Sequence, residues 1–204
     1  MTDQVHPVYR KVKDGQIRRR LLHHHHALLR QLKSAGGPRK ILFLCYGNIC
    51  RSPLAAALAE KRLTGVTIDS AGFHEQTGRS CPQKILRVGE SFGIDLSFHR
   101  SARVTRDQLA NADLVIAMDL ENLNRLRQEF SGMADLTTLL GLFGTLETPD
   151  IADPYLADEA ATRRICEQVR QGVENLASWV GETKRAASTS AIPTTAAGGP
   201  VKHL

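Results

Sequence analysis

The run Lys40-Ile41-Leu42-Phe43-Leu44-Cys45, followed by Tyr46-Gly47-Asn48-Ile49-Cys50-Arg51-Ser52-Pro53, decides how the rest of the chain is read. An unbroken apolar stretch of this length is the pattern of a strand buried on both faces, as in parallel sheets. Pro53 stands where the first helical position favours proline, ahead of the helix-forming stretch Leu54 to Leu63. The alternation then repeats. Val66-Thr67-Ile68-Asp69-Ser70 reads as a second strand closed by Ala71-Gly72, and Pro82 to Phe92 as a helix stopped by Gly93. Thr105-Arg106-Asp107-Gln108 has the form of a capping box opening a short helix. Asp113 to Met118 is a third buried strand, with a helix after it to about Phe130, and Leu136 to Leu140 is a fourth. Ile165, Val169, Val173, Leu176 and Val180 recur at helical spacing and predict a last helix over 158–180. The expectation is an α/β fold: a four-stranded parallel sheet with helices on both faces, in a Rossmann-like three-layer arrangement. Such sheets place their ligands at the carboxyl ends of the strands, where Cys45 lies.

The chain has 204 residues, 42% hydrophobic and 24% charged, enough apolar material for a core without disulfide or metal staples. No apolar run approaches a membrane span, Met1 to Arg20 is too polar for a signal peptide, and four cysteines do not make a secreted disulfide framework. The expected setting is the cytoplasm. The net charge of +6 belongs to the ends: residues 1–37 carry +6, residues 183–204 carry +3, and residues 38–182 carry −3. Three parts follow: a basic, partly helical extension over 1–38, a body over 39–182, and a disordered tail over 183–204 rich in Ala, Ser, Thr, Pro and Gly. Around His23-His24-His25-His26, leucines 21, 22, 28, 29 and 32 cluster loosely on one side of a helix that Gly36-Gly37-Pro38 would end. That helix either lies weakly on an anionic membrane or packs on the body, and both readings stay open. Adjacent histidines on a helix do not face one metal site. Tight nucleic-acid binding is not expected, because no aromatic residue interleaves the basic ones after Tyr9.

The loop from Cys45 to Arg51 has the make-up of an anion cradle. Five intervening residues can aim successive backbone N–H groups inward, and the helix that follows adds its positive end. Gly47 and Asn48 tolerate the left-handed conformations that such a loop needs. Arg51 supplies a planar fork matched to two phosphate oxygens. A cysteine in that field is favoured as the thiolate, which makes Cys45 a nucleophile facing a bound phosphate.

A cysteine, five residues, then Arg and Ser resembles the signature of the low-molecular-weight protein tyrosine phosphatase family. Asp69-Ser70-Ala71-Gly72, His99 with Ala102-Arg103, Met118-Asp119, Asn122 and Asp153-Pro154-Tyr155 follow in that family's order and approximate spacing. The resemblance covers about residues 39–182. It implies hydrolysis of phosphotyrosine through a cysteinyl-phosphate intermediate. Cys45 would be the nucleophile and Arg51, with the N–H groups from Tyr46, Gly47, Asn48, Ile49 and Cys50 onward, would hold the phosphate. Asp153 would be general acid and then base. Ser52 would donate to the thiolate, Asn48 would pin the loop with Ser70 and His99, Asp119 would support the site, and Tyr155 would wall the cleft. A reversible Cys45–Cys50 disulfide is also implied, and neither metal nor cofactor is needed. The partner implied is a protein carrying phosphotyrosine, a bacterial tyrosine kinase among the candidates, with inorganic phosphate as product. Relatives that act on phosphoarginine usually have Thr in place of Ile49, so Ile49 favours phosphotyrosine. After Gly72, Phe73-His74-Glu75-Gln76-Thr77-Gly78-Arg79 lacks the Trp or Tyr many members place at the cleft rim. His74 and Arg79 are either contacts for an acidic substrate or solvated loop residues. Two rival functions are an arsenate reductase of the same fold and a phosphate-binding module targeted by its basic arm. The reductase needs two more relay cysteines, and Cys81 and Cys166 have no paired spacing.

Overall fold

In the computed structural model residues 15–133, 135–144 and 149–190 are described. Four strands, β1 (Lys40–Cys45), β2 (Thr67–Gly72), β3 (Leu114–Ala117) and β4 (Thr137–Leu139), form one parallel sheet in the order β2-β1-β3-β4. The helices are α1 (Gly15–Ser34), α2 (Arg51–Arg62), α3 (Gln83–Ser91), α4 (Arg106–Ala110), α5 (Leu120–Glu129) and α6 (Glu159–Ser190), with a 3₁₀ turn at Leu140–Phe143. This is the expected α/β arrangement. The chain leaves β1 toward β2 on one side and returns to β3 on the other, so the strand order reverses at the carboxyl end of β1. Crevices form at such a reversal. The loop after Cys45 occupies it.

The period-two geometry of the strands sorts the core into two layers. Ile41 and Phe43, with Leu114 and Ile116, pack against Leu54 and Leu58 of α2 and Val169, Val173 and Leu176 of α6. Leu42, Leu44 and Val115 face Leu109 of α4 and Leu126 of α5. Local signals hold where backbone chemistry sets them. Gly93 has φ +70°, and Ile94 N–H donates to Gly89 O at 2.9 Å, closing α3. Thr105 and Gln108 form the capping box of α4. Pro53 is the third helical residue rather than the first, since α2 begins at Arg51. The difference costs nothing, because a helix's first N–H groups have no intrahelical acceptor in any case.

At one end an open alternative is decided, and at the other a reading is corrected. Helix α1 buries Leu21, His25, Leu28 and Leu32 against the body, so its apolar side is not available to a membrane. Leu21 joins Leu120, Leu123 and Leu139, whereas Leu28 and Leu32 join the α2–α6 layer, so α1 crosses the open edge of the sheet at β4. His24 Nε2 lies 3.0 Å from the Thr137 carbonyl and donates to it. His25 Nδ1 lies 2.8 Å from Thr138 Oγ1, and its ring meets Phe143 edge-on at 4.8 Å. A free strand edge invites pairing with other chains, and α1 covers this one. At the other end, α6 continues through residues 183–190. Thr183 is buried there, and Lys184 Nζ donates to the carbonyls of Thr64 and Gly65 at 3.3 and 2.8 Å. The Ala- and Ser-rich composition that read as a tail is compatible with a helix once one face has the α2–β2 turn to dock on. The rest of the predicted tail, residues 191–204, and residues 1–14 of the extension lie outside the described residues.

Candidate active site

Cys45 ends β1 with its thiol buried, and the loop folds back over it. Asn48 N–H donates to Cys45 Sγ at 3.2 Å, and the Ser52 hydroxyl lies 3.1 Å away. Ser52 Oγ already accepts from Asn48 Nδ2 at 2.9 Å, which leaves its one proton for the sulfur, the Ala71 carbonyl being farther at 3.4 Å. Asn48 is the one non-glycine residue with positive φ among the described residues, at 50°. Its side chain fixes that conformation: Nδ2 also donates to Ser70 Oγ at 3.0 Å, and Oδ1 accepts from Ala102 N–H at 2.8 Å. The Asn48 carbonyl accepts from His99 Nε2 at 2.8 Å. Burial holds the His99 pKa below its ordinary value, which keeps the ring neutral in the tautomer that donates. Gly72 is required underneath. A Cβ there would sit 2.7 Å from the Tyr46 carbonyl and 2.8 Å from Asn48 N, closer than such atoms approach.

Arg51 opens α2 and is 2% exposed. Nη1 donates to Asp119 Oδ2 at 2.5 Å and to the Ile151 carbonyl at 2.8 Å, and Nη2 donates to Asp153 Oδ2 at 2.6 Å. Burial disfavours its charge, but Asp119, Cys45 and Asp153 together outweigh burial and hold the guanidinium pKa above its ordinary value. Its Nε is buried with no acceptor among the described residues. An unpaired buried donor costs about 1–3 kcal/mol, and a phosphate oxygen in the loop would satisfy it. Asp119 has two tasks: Oδ1 caps α5 by accepting from Asn122 N–H at 2.7 Å, and Oδ2 anchors Arg51. Asp153 Oδ1 accepts from Tyr155 N–H at 2.9 Å, which orients the carboxylate over the cleft.

The cleft has a volume of about 180 Å³ and is lined by Cys45, Ile49, Cys50 and Arg51 below and by Asp153 and Tyr155 on one wall. Tyr46, Gly47, His74 and Arg79 complete it. The sequence-predicted residues thus gather at one place, with Ser52, Ser70 and His99 beneath the loop and Asp119 behind Arg51. Two features were not read from the sequence. Asp150 is buried, accepts from Leu120 N–H at 2.8 Å, and burial pushes its pKa up to about 6. Its signal was no more than an acidic residue three before Asp153. The other is the commitment of Arg79 to the cleft, which had been left open. All four cysteines are free thiols. Burial drives the Cys50 thiol pKa far up, with the Cys45 charge adding to the effect. Burial likewise pushes Cys81 to about 12 and Cys166 to about 11, so neither is disposed to relay electrons as a thiolate.

Residues 40–186 match the sequence profile of the low molecular weight phosphotyrosine protein phosphatases. The chain belongs to that family. A relative from Ralstonia nicotianae, the probable low molecular weight protein-tyrosine-phosphatase EpsP, is 34% identical over 142 residues, covering 70% of this chain and 94% of that one. Among solved structures, the tyrosine phosphatase Wzb from Escherichia coli K30 in complex with sulphate superposes with a TM-score of 0.65 at 28% identity, over 69% of this chain and 97% of that one. The YwlE arginine phosphatase from Geobacillus stearothermophilus gives 0.66 at 30% identity, over 76% and 99%. The phosphatase family match thus begins at β1 and leaves α1 outside it. No helix among the described residues is long and apolar enough to cross a membrane.

Proposed function

We propose that this phosphatase hydrolyses phosphotyrosine in proteins by two displacements at phosphorus, carried by Cys45, Arg51 and Asp153. The observation that supports it most directly is the thiol of Cys45 held by the Asn48 N–H and the Ser52 hydroxyl in a loop whose floor is the Arg51 guanidinium. In the first step Cys45 Sγ attacks phosphorus, the S–P bond forms as the P–O bond to the phenol breaks, and Asp153 protonates the departing oxygen. In the second, Asp153 takes a proton from water, the oxygen attacks phosphorus, and the S–P bond breaks to return the thiolate. The Ser52 hydroxyl stabilises that leaving sulfur. Arg51 and the helix N-terminus carry the charge on the equatorial oxygens in both steps. Phosphate in the loop competes with Asp153 for Arg51 Nη2, and this frees Oδ2 to face the leaving group.

Ile49 fills the base of the cleft and supports phosphotyrosine over the smaller-walled requirement of phosphoarginine; peptides bearing each group tell the two apart. A tyrosine-phosphorylated kinase in the cytoplasm is the partner we would test first. The decisive experiment is hydrolysis of p-nitrophenyl phosphate under reducing conditions. Cys45→Ser is expected to be inactive, and Asp153→Asn to lower kcat by about 10²–10⁴-fold, the usual range for a general acid. Turnover surviving in Cys45→Ser would assign the nucleophile elsewhere.

A further inference from the structure

The two walls of the cleft differ in charge. Asp153 and Tyr155 form one wall, and the Asp153 carboxylate is already paired with Arg51. Arg79 and His74 form the other, on the loop between β2 and α3. That loop is bolted in place. Its backbone at Gly78 and Arg79 exchanges hydrogen bonds with Ser101, whose N–H donates to the Arg79 carbonyl at 2.9 Å and whose hydroxyl accepts from Arg79 N–H at 3.0 Å. Phe73 and His74 N–H both donate to the Tyr46 carbonyl, at 2.8 and 3.0 Å.

Arg79 is then held by its own side chain. Nε donates to the Gln76 carbonyl at 3.1 Å and Nη2 to the Gly47 carbonyl at 2.7 Å. Both acceptors are neutral. No carboxylate among the described residues pairs with Arg79, whereas Arg51 and Arg125 each have two. The result is a half-buried guanidinium, fixed in direction, whose charge is uncompensated and whose remaining N–H groups lie at the cleft. Beside it, His74 Nδ1 accepts from Gln76 N–H at 3.1 Å, which puts the ring proton on Nε2. The His74 ring meets Tyr46 edge-on at 5.5 Å, so the cation-bearing wall is continuous with an aromatic surface on which a phenyl phosphate can lie.

We propose that Arg79, supported by His74, is a specificity-determining residue that selects phosphotyrosine flanked by acidic side chains. This rests on the phosphatase reading above and names the substrate class within it. A flanking Asp or Glu would meet a preorganised fork without a rival carboxylate, which is where a charge-assisted, bidentate pair is worth most. Arg125 over the face of Tyr46, at 5.0 Å, has its charge balanced by Glu121 and Glu129 and is not the selecting cation.

The test compares kcat/KM for two phosphotyrosine peptides that differ only in the flanking residues, Asp and Glu in one, Asn and Gln in the other. Wild type is expected to prefer the acidic peptide by about tenfold at low ionic strength, the preference shrinking as salt is raised. Arg79→Gln should bring the ratio near one, and Arg79→Lys should restore part of it. The ratio is the readout, because Arg79→Gln also removes a bond to the phosphate loop and would slow both peptides together. A ratio near one in wild type, or one unchanged by Arg79→Gln, overturns the proposal. Titration of the same peptides onto Cys45→Ser, with and without Arg79→Gln, reads the selectivity in binding alone. Absence of turnover for either peptide in wild type counts against the phosphatase reading, whereas equal binding of the two counts against the role of Arg79.

Discussion

Three carboxylates surround Arg51, and they differ in what they cost. Asp119 and Asp153 are paired with the guanidinium, but Asp150 is buried with only the Leu120 N–H as a donor. Burial and the nearby Asp119 raise its pKa to about 6, against the Leu120 hydrogen bond and Arg51, which act the other way. A carboxyl whose folded pKa exceeds its unfolded value of roughly 3.9 contributes stability that is present below about pH 4 and lost as pH rises through 6. Asp150→Asn keeps an acceptor for Leu120 and removes the charge. Its expected effect is to stabilise the fold by about 1–3 kcal/mol above pH 6.5 and by nothing at pH 4, read from urea denaturation at the two pH values. A variant destabilised equally at both would show that the carboxyl group itself, whatever its charge, is needed. At this scale the sequence was legible where a residue's type serves its own backbone. Asn48 could be marked from the motif around it, whereas the need for glycine at 72 comes from the loop atoms of Tyr46 and Asn48 folded over it. Asp150 could not, and for Arg79 the sequence left two alternatives, because burial and the absence of a carboxylate partner among the described residues are properties of neighbours brought from elsewhere in the chain.

Among the elements, α1 shows the same division. Its leucines were visible in the sequence, but their periodicity is loose and fits a membrane surface or a protein surface equally well. The structure gives Leu21 the β4 strand and Leu28 and Leu32 the α2–α6 layer to pack on, and makes His24 and His25 part of the contact with β4. His25 is 3% exposed, and burial, with His26 and His24 adding to it, pushes its pKa down to about 4. The folded state therefore resists protonation that the unfolded chain accepts near 6.5. The stabilising contribution is complete above that value and is lost as pH falls from 6.5 toward 4. Wild type is expected to lose about 2–3 kcal/mol across that window from this group. Replacement by the non-titrating His25→Gln should flatten this part of the pH dependence, as measured by denaturation at pH 7 and 4.5. A full wild-type slope remaining in His25→Gln would place the titrating group elsewhere. The last helix makes a related point. Its apolar spacing ends at Val180, yet α6 runs to Ser190, because Thr183 is buried beside Gly37 and Lys184 finds acceptors at the α2–β2 turn.

For the whole molecule, we propose that residues 39–190 form the catalytic unit and that α1 is its cover along the β4 edge. Removing residues 1–38 exposes the edge and the surfaces under Leu21, Leu28 and Leu32, each worth about 1.5–3 kcal/mol when buried, less the entropy recovered by freeing the helix. The shortened chain is expected to unfold several degrees lower and to associate with rising concentration, as seen by calorimetry and sedimentation, while retaining hydrolysis of p-nitrophenyl phosphate. An unchanged melting temperature would mean that α1 contributes no net stability. The sequence by itself determined the fold class, the phosphate loop and the catalytic candidates. The fold class and the loop depend on short-range requirements: unbroken apolar runs for the strands, tolerant residues in a tight turn, and a nucleophile and guanidinium a fixed few residues apart. Asp153, by contrast, was marked by the family resemblance. The tertiary structure alone decided which face of α1 is spent, that α6 continues past Val180, which carboxylate near Arg51 is buried without an ion pair among the described residues, and which arginine at the cleft has no carboxylate partner among them. Each of those is a balance of desolvation and charge among groups far apart in the chain, and no local pattern records it.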